Sequence, residues 1–278
     1  MISHRLKDRL IDIALVGTLA LLLVFFYVPI ATLVAFSFTS SRVLTLPIEG
    51  FSFEWYGELL RKPDFLPAVA NSAIVAAVST VFATILGTAG AVAWIRYRFR
   101  LQRLFQIVTF APLLFPQLLL GVVMLLWFSL LGNWLGFSTG LMTVIIGHVV
   151  YITPFALVIV AVQVYGFDDT LEDAARDAGA NGWEVFREVT FPLLWPGIFS
   201  AAIFAFLLSW GNFYVSYSLA GTARTLPVFV YSGIAVGSSP IYPALATLNF
   251  IPALFLVAFA EVFRRRALRR QAMQSTEA

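Results

Sequence analysis

Leu104–Phe167 reads LFQIVTFAPLLFPQLLLGVVMLLWFSLLGNWLGFSTGLMTVIIGHVVYITPFALVIVAVQVYGF, and none of its 64 residues is Asp, Glu, Lys or Arg. At a helical rise near 1.5 Å such a run reaches about 96 Å, some three hydrocarbon thicknesses. It therefore predicts two membrane spans and the turn between them. The turn is marked by Gly132, Asn133, Gly136, Ser138, Thr139 and Gly140, a cluster of helix breakers between apolar runs.

Working outward, the remaining apolar runs bring the total to six spans, at about 12–36, 68–95, 104–131, 141–165, 197–220 and 244–263. The composition, 60% hydrophobic and 12% charged, departs from globular averages in the direction a bilayer demands. The expected fold class is all-α, a polytopic membrane protein of six transmembrane helices forming one domain over residues 1–278. The first apolar run follows His4-Arg5-Leu6-Lys7-Asp8-Arg9, is too long for a secretion signal and ends in no small-x-small cleavage pattern, so it reads as an anchor. The apolar stretch 225–236 is short and carries Pro227 and Gly233, which makes it an outer loop or re-entrant piece.

Lys and Arg fall unevenly on the two sides of these spans. Fourteen of the eighteen lie on one side, in the groups Arg5 to Arg9, Arg96 to Arg103, Arg176 with Arg187, and Arg264 to Arg270; only Arg42, Arg61, Lys62 and Arg224 lie on the other. The positive-inside rule places both termini in the cytoplasm. The net charge of +3 arises beside apolar spans, where basic residues orient the chain and meet anionic lipid, so a nucleic-acid partner is not expected. The absence of cysteine removes disulfides, thiolate nucleophiles and thiolate metal sites.

Directly after the uncharged run comes a polar island, Asp168–Glu188, DDTLEDAARDAGANGWEVFRE, which holds nine of the 33 charged residues on the cytoplasmic side between spans four and five. Asp169 with Glu172 three residues on is an Asp variant of the capping box, and predicts a short helix from about Thr170 to Ala178. Gly179 supplies a left-handed stop, and Asn181 with Glu184 predicts a second helix start. Ala174, Ala175 and Ala178 share a low surface that another protein can approach closely, and Phe191-Pro192 is expected to break the pattern and turn the chain back into the membrane.

These residues resemble the membrane permease subunits of binding-protein-dependent ABC importers. The loop signature of that family is EAA, three residues, G, nine residues, then I-x-L-P. Here Asp173-Ala174-Ala175, Gly179, Val189, Phe191 and Pro192 stand at those spacings, with Leu171 on the same short helix. Asp for Glu, Val for Ile and Phe for Leu keep charge sign and apolar character. The resemblance implies that 168–192 forms a coupling helix seated in a groove of a cytoplasmic ATPase. It also implies two ABC ATPase subunits, a second permease forming a heterodimer with this one, an extracytoplasmic solute-binding protein, and a place in the bacterial inner (plasma) membrane. ATP and Mg are used by the partner ATPase, and no cofactor belongs to this chain. Phe51–Tyr56 (FSFEWY) and Thr225–Thr247 (TLPVFVYSGIAVGSSPIYPALAT) look like the spermidine/putrescine-type branch. One departure bears on the solute: where many permeases of that branch carry an Asp-Asp pair in span five, this chain has Gly211-Asn212. The solutes the resemblance implies are small polar organics of the polyamine, opine or phosphonate kind, or ferric iron.

The residues themselves agree with a motor held elsewhere. The only lysines are Lys7 and Lys62, neither after a glycine-rich strand-to-helix turn, so no phosphate-binding loop is present. An intramembrane enzyme would need paired acids, a Ser with a His base or His-rich metal spacing. The histidines are His4 and His148, far apart in sequence, and His148 reads as a neutral residue hydrogen-bonded inside the bundle. A self-sufficient ion-coupled carrier or channel is the alternative. Only Asp12 and Glu261 approach the spans, both near ends, which favours transport powered by an external ATPase.

Candidate path residues are Gln117 in span three and Trp210, Asn212, Tyr214 and Ser216 in span five, since polar groups avoid lipid and face the bundle or an interface. Asn212 and Gln117 offer hydrogen bonds, and the aromatics offer faces to an organic cation. Helix–helix packing explains the same residues as well. Ala83, Gly87, Gly90 and Ala91 of span two predict close helix approach, within the chain or at a subunit contact. The aromatics of 37–67 are expected at the membrane surface or against a binding protein.

Overall fold

The computed structural model describes residues 2–48, 50–235 and 239–277, with side chains for Arg9, 11–48, 50–235 and 239–262. Arg5, Lys7, Arg264–Arg270 and Val236, used above to orient the chain or bound a loop, lie outside the described side chains.

The order of elements is α1 (Ile2–Phe36), α2 (Glu54–Arg61), α3 (Phe65–Arg96), α4 (Gln102–Leu114), α5 (Gln117–Leu135), α6 (Leu141–Tyr165), α7 (Thr170–Asp177), α8 (Gly182–Val185), a π-turn (Phe186–Thr190), α9 (Phe191–Trp210), α10 (Tyr214–Leu219), α11 (Leu226–Ile234) and α12 (Ile241–Glu277). Among the described residues the only bridge is the isolated antiparallel pair Thr39 and Phe51. Among the described residues six helical runs are long and apolar enough to cross a membrane: Ile11–Phe36, Phe65–Arg96, Gln117–Leu135, Leu141–Tyr165, Gly182–Trp210 and Ile241–Val262. The nine residues of α11 are too few to span, as 225–236 predicts.

Contacts within the chain define two bodies, Met1–Lys62 with Ser232–Ile251, and Pro63–Tyr231 with Pro252–Ala278. In the first, the α1–α2 link is stitched locally. Trp55 Nε1 donates to the Thr39 carbonyl at 2.5 Å and the Ser37 and Tyr56 hydroxyls meet at 2.8 Å. Trp55 is buried and holds this link together, so it is not free for the surface role expected of it, while Phe51 and Phe53 remain exposed.

In the second body, α3 packs along α6, and both pack on α9. The core runs in three levels. Ala91, Leu157, Val160 and Leu194 make the first, Ala83, Ile152 and Ala205 the second, and Val75, Val144, Val215 and Leu219 the third. Numbering falls together along α3 and α6 and rises along α9 and α10, so α3 and α6 run parallel with α9 antiparallel to them. Lipid gives little hydrophobic reward for helix association, and close packing of small residues takes its place. A Cβ on Gly87 would lie 2.7 Å from the Ala156 Cβ and 2.8 Å from the Leu157 nitrogen, and one on Gly90 would lie 2.7 Å from Leu157 Cδ1. The small residues of span two therefore serve packing within the chain.

Two expected spans change. The third span, predicted at 104–131, divides into α4 and α5, because Pro116 drives Phe115 to extended backbone (φ −91°, ψ 136°). The uninterrupted apolar run hides that break. In the fifth span, Phe191-Pro192 does not break the helix. The chain is helical from Gly182 to Trp210, since the Phe191 amide reaches back to Phe186 through the π-turn and Pro192 stands in the first turn of α9, where no amide donor is needed. The same span ends at Trp210 rather than residue 220, and α10 follows a three-residue break at Gly211–Phe213.

Candidate functional site

The loop between α6 and α9 is built from interlocking caps. Asp168 rather than Asp169 caps α7: its Oδ1 accepts from the Thr170 amide at 3.0 Å and the Thr170 hydroxyl at 2.8 Å. That hydroxyl first, and the amide after it, hold the Asp168 carboxyl below the usual carboxylate range. At the other end Gly179 takes φ 93°, the Gly179 amide bonds the Arg176 carbonyl at 2.9 Å and the Ala180 amide bonds the Ala175 carbonyl at 3.0 Å. This is a Schellman stop, and it needs the left-handed backbone glycine tolerates. Two residues later Asn181 and Glu184 form the expected reciprocal capping box, the Glu184 carboxylate accepting the Asn181 amide at 2.7 Å. The two short helices are thus closed at three of four ends by their own side chains or backbone.

With α7 fixed in this way, Leu171, Ala174, Ala178 and Gly179 are exposed, Ala175 is half-buried, and Asp173 is exposed in a 2.7 Å pair with Arg176. Trp183, Phe186 and Phe191 also show large apolar surface, Trp183 remaining 67% exposed, and their rings follow one another at 5.6 and 6.1 Å. The series continues through Trp195 to Phe199. Val189 lies half-buried in the π-turn, and Pro192 is exposed at the start of α9.

Glu172 departs from its expected capping role. It is 8% exposed and points away from the Leu171–Ala174 face. Its Oε1 accepts short bonds from Arg96 Nη1, at the last turn of α3, and from the Thr190 hydroxyl in the π-turn, while Oε2 faces Arg176 Nη2 at 3.5 Å. Arg96 also lies over the Phe167 ring at 4.3 Å. Burial pushes the Glu172 carboxyl up; the Thr190 hydroxyl, the Arg96 bond and the charges of Arg96 and Arg176 outweigh it and hold the group below its usual range. Local spacing hides these partners, because Glu172 reads equally well as a cap and Arg96 as a topological charge. The one sequence signal is Thr190, a polar residue where the apolar run resumes.

The second cluster surrounds the break in span five. His148 of α6 is buried, with Nδ1 at 2.8 Å from the Ser209 hydroxyl and Nε2 at 2.9 Å from the Ser216 hydroxyl. Ser209 precedes the break and Ser216 follows it, so one imidazole spans the interruption. Asn212 is 5% exposed, and its Oδ1 accepts the Val215 amide at 3.1 Å, capping α10 from inside. Trp210 is buried and stacked on Phe206. Tyr214 is exposed beside Phe213, which also meets Tyr217 at 5.3 Å and Tyr231 at 4.7 Å. The structure thus gathers four of the five candidate path residues around one break. Gln117 is half-buried at the first position of α5, one turn before Gly121, where a Cβ would lie 3.1 Å from the Tyr214 carbonyl oxygen, and among the described residues no hydrogen bond joins it to the other four. Tyr231 joins the aromatic group from α11, a connection invisible to helical periodicity.

The family described as "Binding-protein-dependent transport system inner membrane component" matches residues 79–227. The chain is 36% identical over 258 residues to the putrescine transport system permease protein PotI of Escherichia coli strain K12, covering 88% of this chain and 91% of that one. It is 32% identical over 250 residues to the spermidine/putrescine transport system permease protein PotC of the same strain, covering 90% and 93%. Among solved structures, the bacterial alginate ABC transporter in complex with alginate pentasaccharide-bound periplasmic protein superposes with TM-score 0.73 at 18% identity, covering 94% of this chain and 96% of that one. An inward-facing MetNI methionine ABC transporter gives 0.61 at 20% identity, covering 78% and 99%. These two likenesses concern the fold.

Proposed function

Because the chain belongs to the binding-protein-dependent transport system inner membrane components, we propose that its 168–192 loop is the handle by which a cytoplasmic ATPase moves the spans. The chain is a multi-pass permease subunit of a binding-protein-dependent ABC importer, a transport subunit and not an enzyme, with ATP hydrolysis on separate subunits. The observation that carries the handle is the capped pair α7 and α8, which presents the small residues Ala174, Ala175 and Gly179 beside Leu171. Asp173, Val189, Phe191 and Pro192 belong to the same element, the last three setting its return into α9.

Two ATPase subunits using ATP and Mg, a second related permease and an extracytoplasmic solute-binding protein complete the assembly we propose. Both termini lie in the cytoplasm, in keeping with the Lys and Arg distribution. The solute is a small organic cation of the polyamine kind, a reading supported by the putrescine and spermidine permeases to which the chain is similar. No acid stands at Gly211-Asn212; the exposed faces of Tyr214, Tyr217 and Tyr231 offer the charge recognition, with Gln117 as a hydrogen-bonding side chain. Trp210, Asn212 and Ser216 shape the break that presents them.

Affinity purification of the tagged chain in mild detergent tests the assembly. An ABC ATPase and a second permease co-purify, and the ATPase is lost with Ala174→Glu/Ala175→Glu. Recovery of the chain alone, with vesicle uptake driven by an ion gradient and indifferent to ATP, makes it a self-sufficient carrier instead. Competition of labelled putrescine uptake by spermidine, an opine, a phosphonate and ferric iron then identifies the solute class.

A further inference from the structure

The face of α7 that meets a partner and the face that meets the rest of the chain are different, and the second has a single charged anchor. The backbone joins α7 to α6 and α8 and not to α3, so displacement of α7 reaches the end of α3 through side-chain contacts. Glu172 supplies them: one carboxylate oxygen is shared by Arg96 of α3 and Thr190 of the π-turn that opens into α9.

We infer that the Glu172–Arg96 ion pair is the strut that makes the end of α3 follow α7 during the transport cycle, with Thr190 carrying the same displacement into α9. The inference rests on the reading of 168–192 as the ATPase handle, and assigns to Glu172 and Arg96 a positioning role within it. Four observations support it. Glu172 is largely desolvated and the Arg96 side chain is 17% exposed, so the pair acts with little competition from water. Arg96 is held from its other side by Phe167, which leaves the guanidinium no easy retreat. The carboxylate stays ionised, as its depressed pKa requires. Finally, α3 packs along both α6 and α9 with Gly87 closing the approach, so its end cannot move without carrying its neighbours.

The chain has no cysteine, so pairs of introduced cysteines can carry spin labels without background. In the purified complex with its ATPase, labels at Asp177→Cys and Arg100→Cys report the separation of α7 from the end of α3. Each is also paired separately with a reference at Thr222→Cys; all three sites are exposed. Distances are compared without nucleotide and with ATP plus vanadate. The strut keeps the 177–100 separation constant while both sites shift against residue 222, and Glu172→Gln lets residue 177 shift while residue 100 stays behind. Arg96→Lys, which keeps the charge beside an intact Glu172, retains the joint movement, and Arg96→Gln, which loses it, is the second disrupting variant should Glu172→Gln fold poorly. Movement of residue 177 without residue 100 in the unmodified sequence, or joint movement that survives Glu172→Gln, overturns the strut. No shift of residue 177 in either state overturns the handle itself. Solute moved per ATP hydrolysed falls on the order of tenfold in Glu172→Gln.

Discussion

Glu172 and His148 do comparable work in different surroundings. Each is a buried polar side chain that joins elements far apart in sequence: Glu172 ties α7 to α3 and the π-turn, and His148 ties α6 to both sides of the span-five break. One node is a carboxylate with cationic partners; the other is an imidazole between two hydroxyls. The difference follows from what surrounds them. At the loop, charges can be paired with arginines and remain near water. Inside a span, an ionised group costs far more, whereas an imidazole with one donor and one acceptor is satisfied by hydroxyls that rotate to suit it. Charge is spent where displacement has to be transmitted, and neutral hydrogen bonds are used where a broken helix has only to keep its shape.

The largest expected effect follows from stranding the charge. Glu172→Ala leaves the half-buried Arg96 without its carboxylate and destabilises the protein by about 3 kcal/mol, the low end for a broken buried pair because Arg96 keeps some contact with water and Phe167 remains. A detergent thermal melt that barely moves would remove the distinction between the nodes. His148→Leu follows at about 2 kcal/mol, since it strands two serine hydroxyls but no charge, and Ser209 can fall back on a carbonyl of its own helix. A loss exceeding that of Glu172→Ala in the same melt would reverse the ranking.

Gly179→Val ranks third, at about 1–2 kcal/mol, because φ 93° is strained for a β-branched residue. The chain still inserts in the membrane, and the readout is ATP turnover uncoupled from transport; normal transport counts against the handle. Acid sharpens the contrast further. The folded Glu172 carboxyl lies below its unfolded value, so its contribution is complete above about pH 4.3 and is lost as pH falls through the folded value. The stability gap between the parent chain and Glu172→Gln should therefore shrink below that pH; a constant gap places the interaction elsewhere. The smallest effect is that of Asn212→Leu, about 1 kcal/mol for a lost cap. It changes putrescine uptake without releasing the ATPase, and an unchanged uptake profile removes the break from the path.

The features legible in the sequence are local ones. The uncharged run Leu104–Phe167 announces spans whatever they pack against, and Gly179, Asn181 and Glu184 specify stops and starts within a turn or two of themselves. The resemblance to importer permeases rests on the same local spacing. The partner of Glu172 lies 76 residues away, and the capping-box pattern offers a nearer and wrong use for the same carboxylate. Hydropathy likewise passes over Pro116 without a sign, because a helix break between two apolar helices changes backbone and not composition. Proline at Phe191-Pro192 misleads in the opposite sense, since one wide turn absorbs what otherwise ends a helix.

That wide turn also sets the angular phase of the loop. A π-turn holds one residue more than the α-turn it replaces, so whatever precedes Phe186–Thr190 is rotated by about 100° from where an unbroken α-helix would put it. Phe186 and Phe191, five positions apart, meet at 6.1 Å only because of that added residue, and the ring series from Trp183 to Phe199 is continuous for the same reason. The turn therefore clocks α8 relative to α9: deleting one residue there would aim α8 at a different quadrant and set the Pro192 ring against the preceding turn.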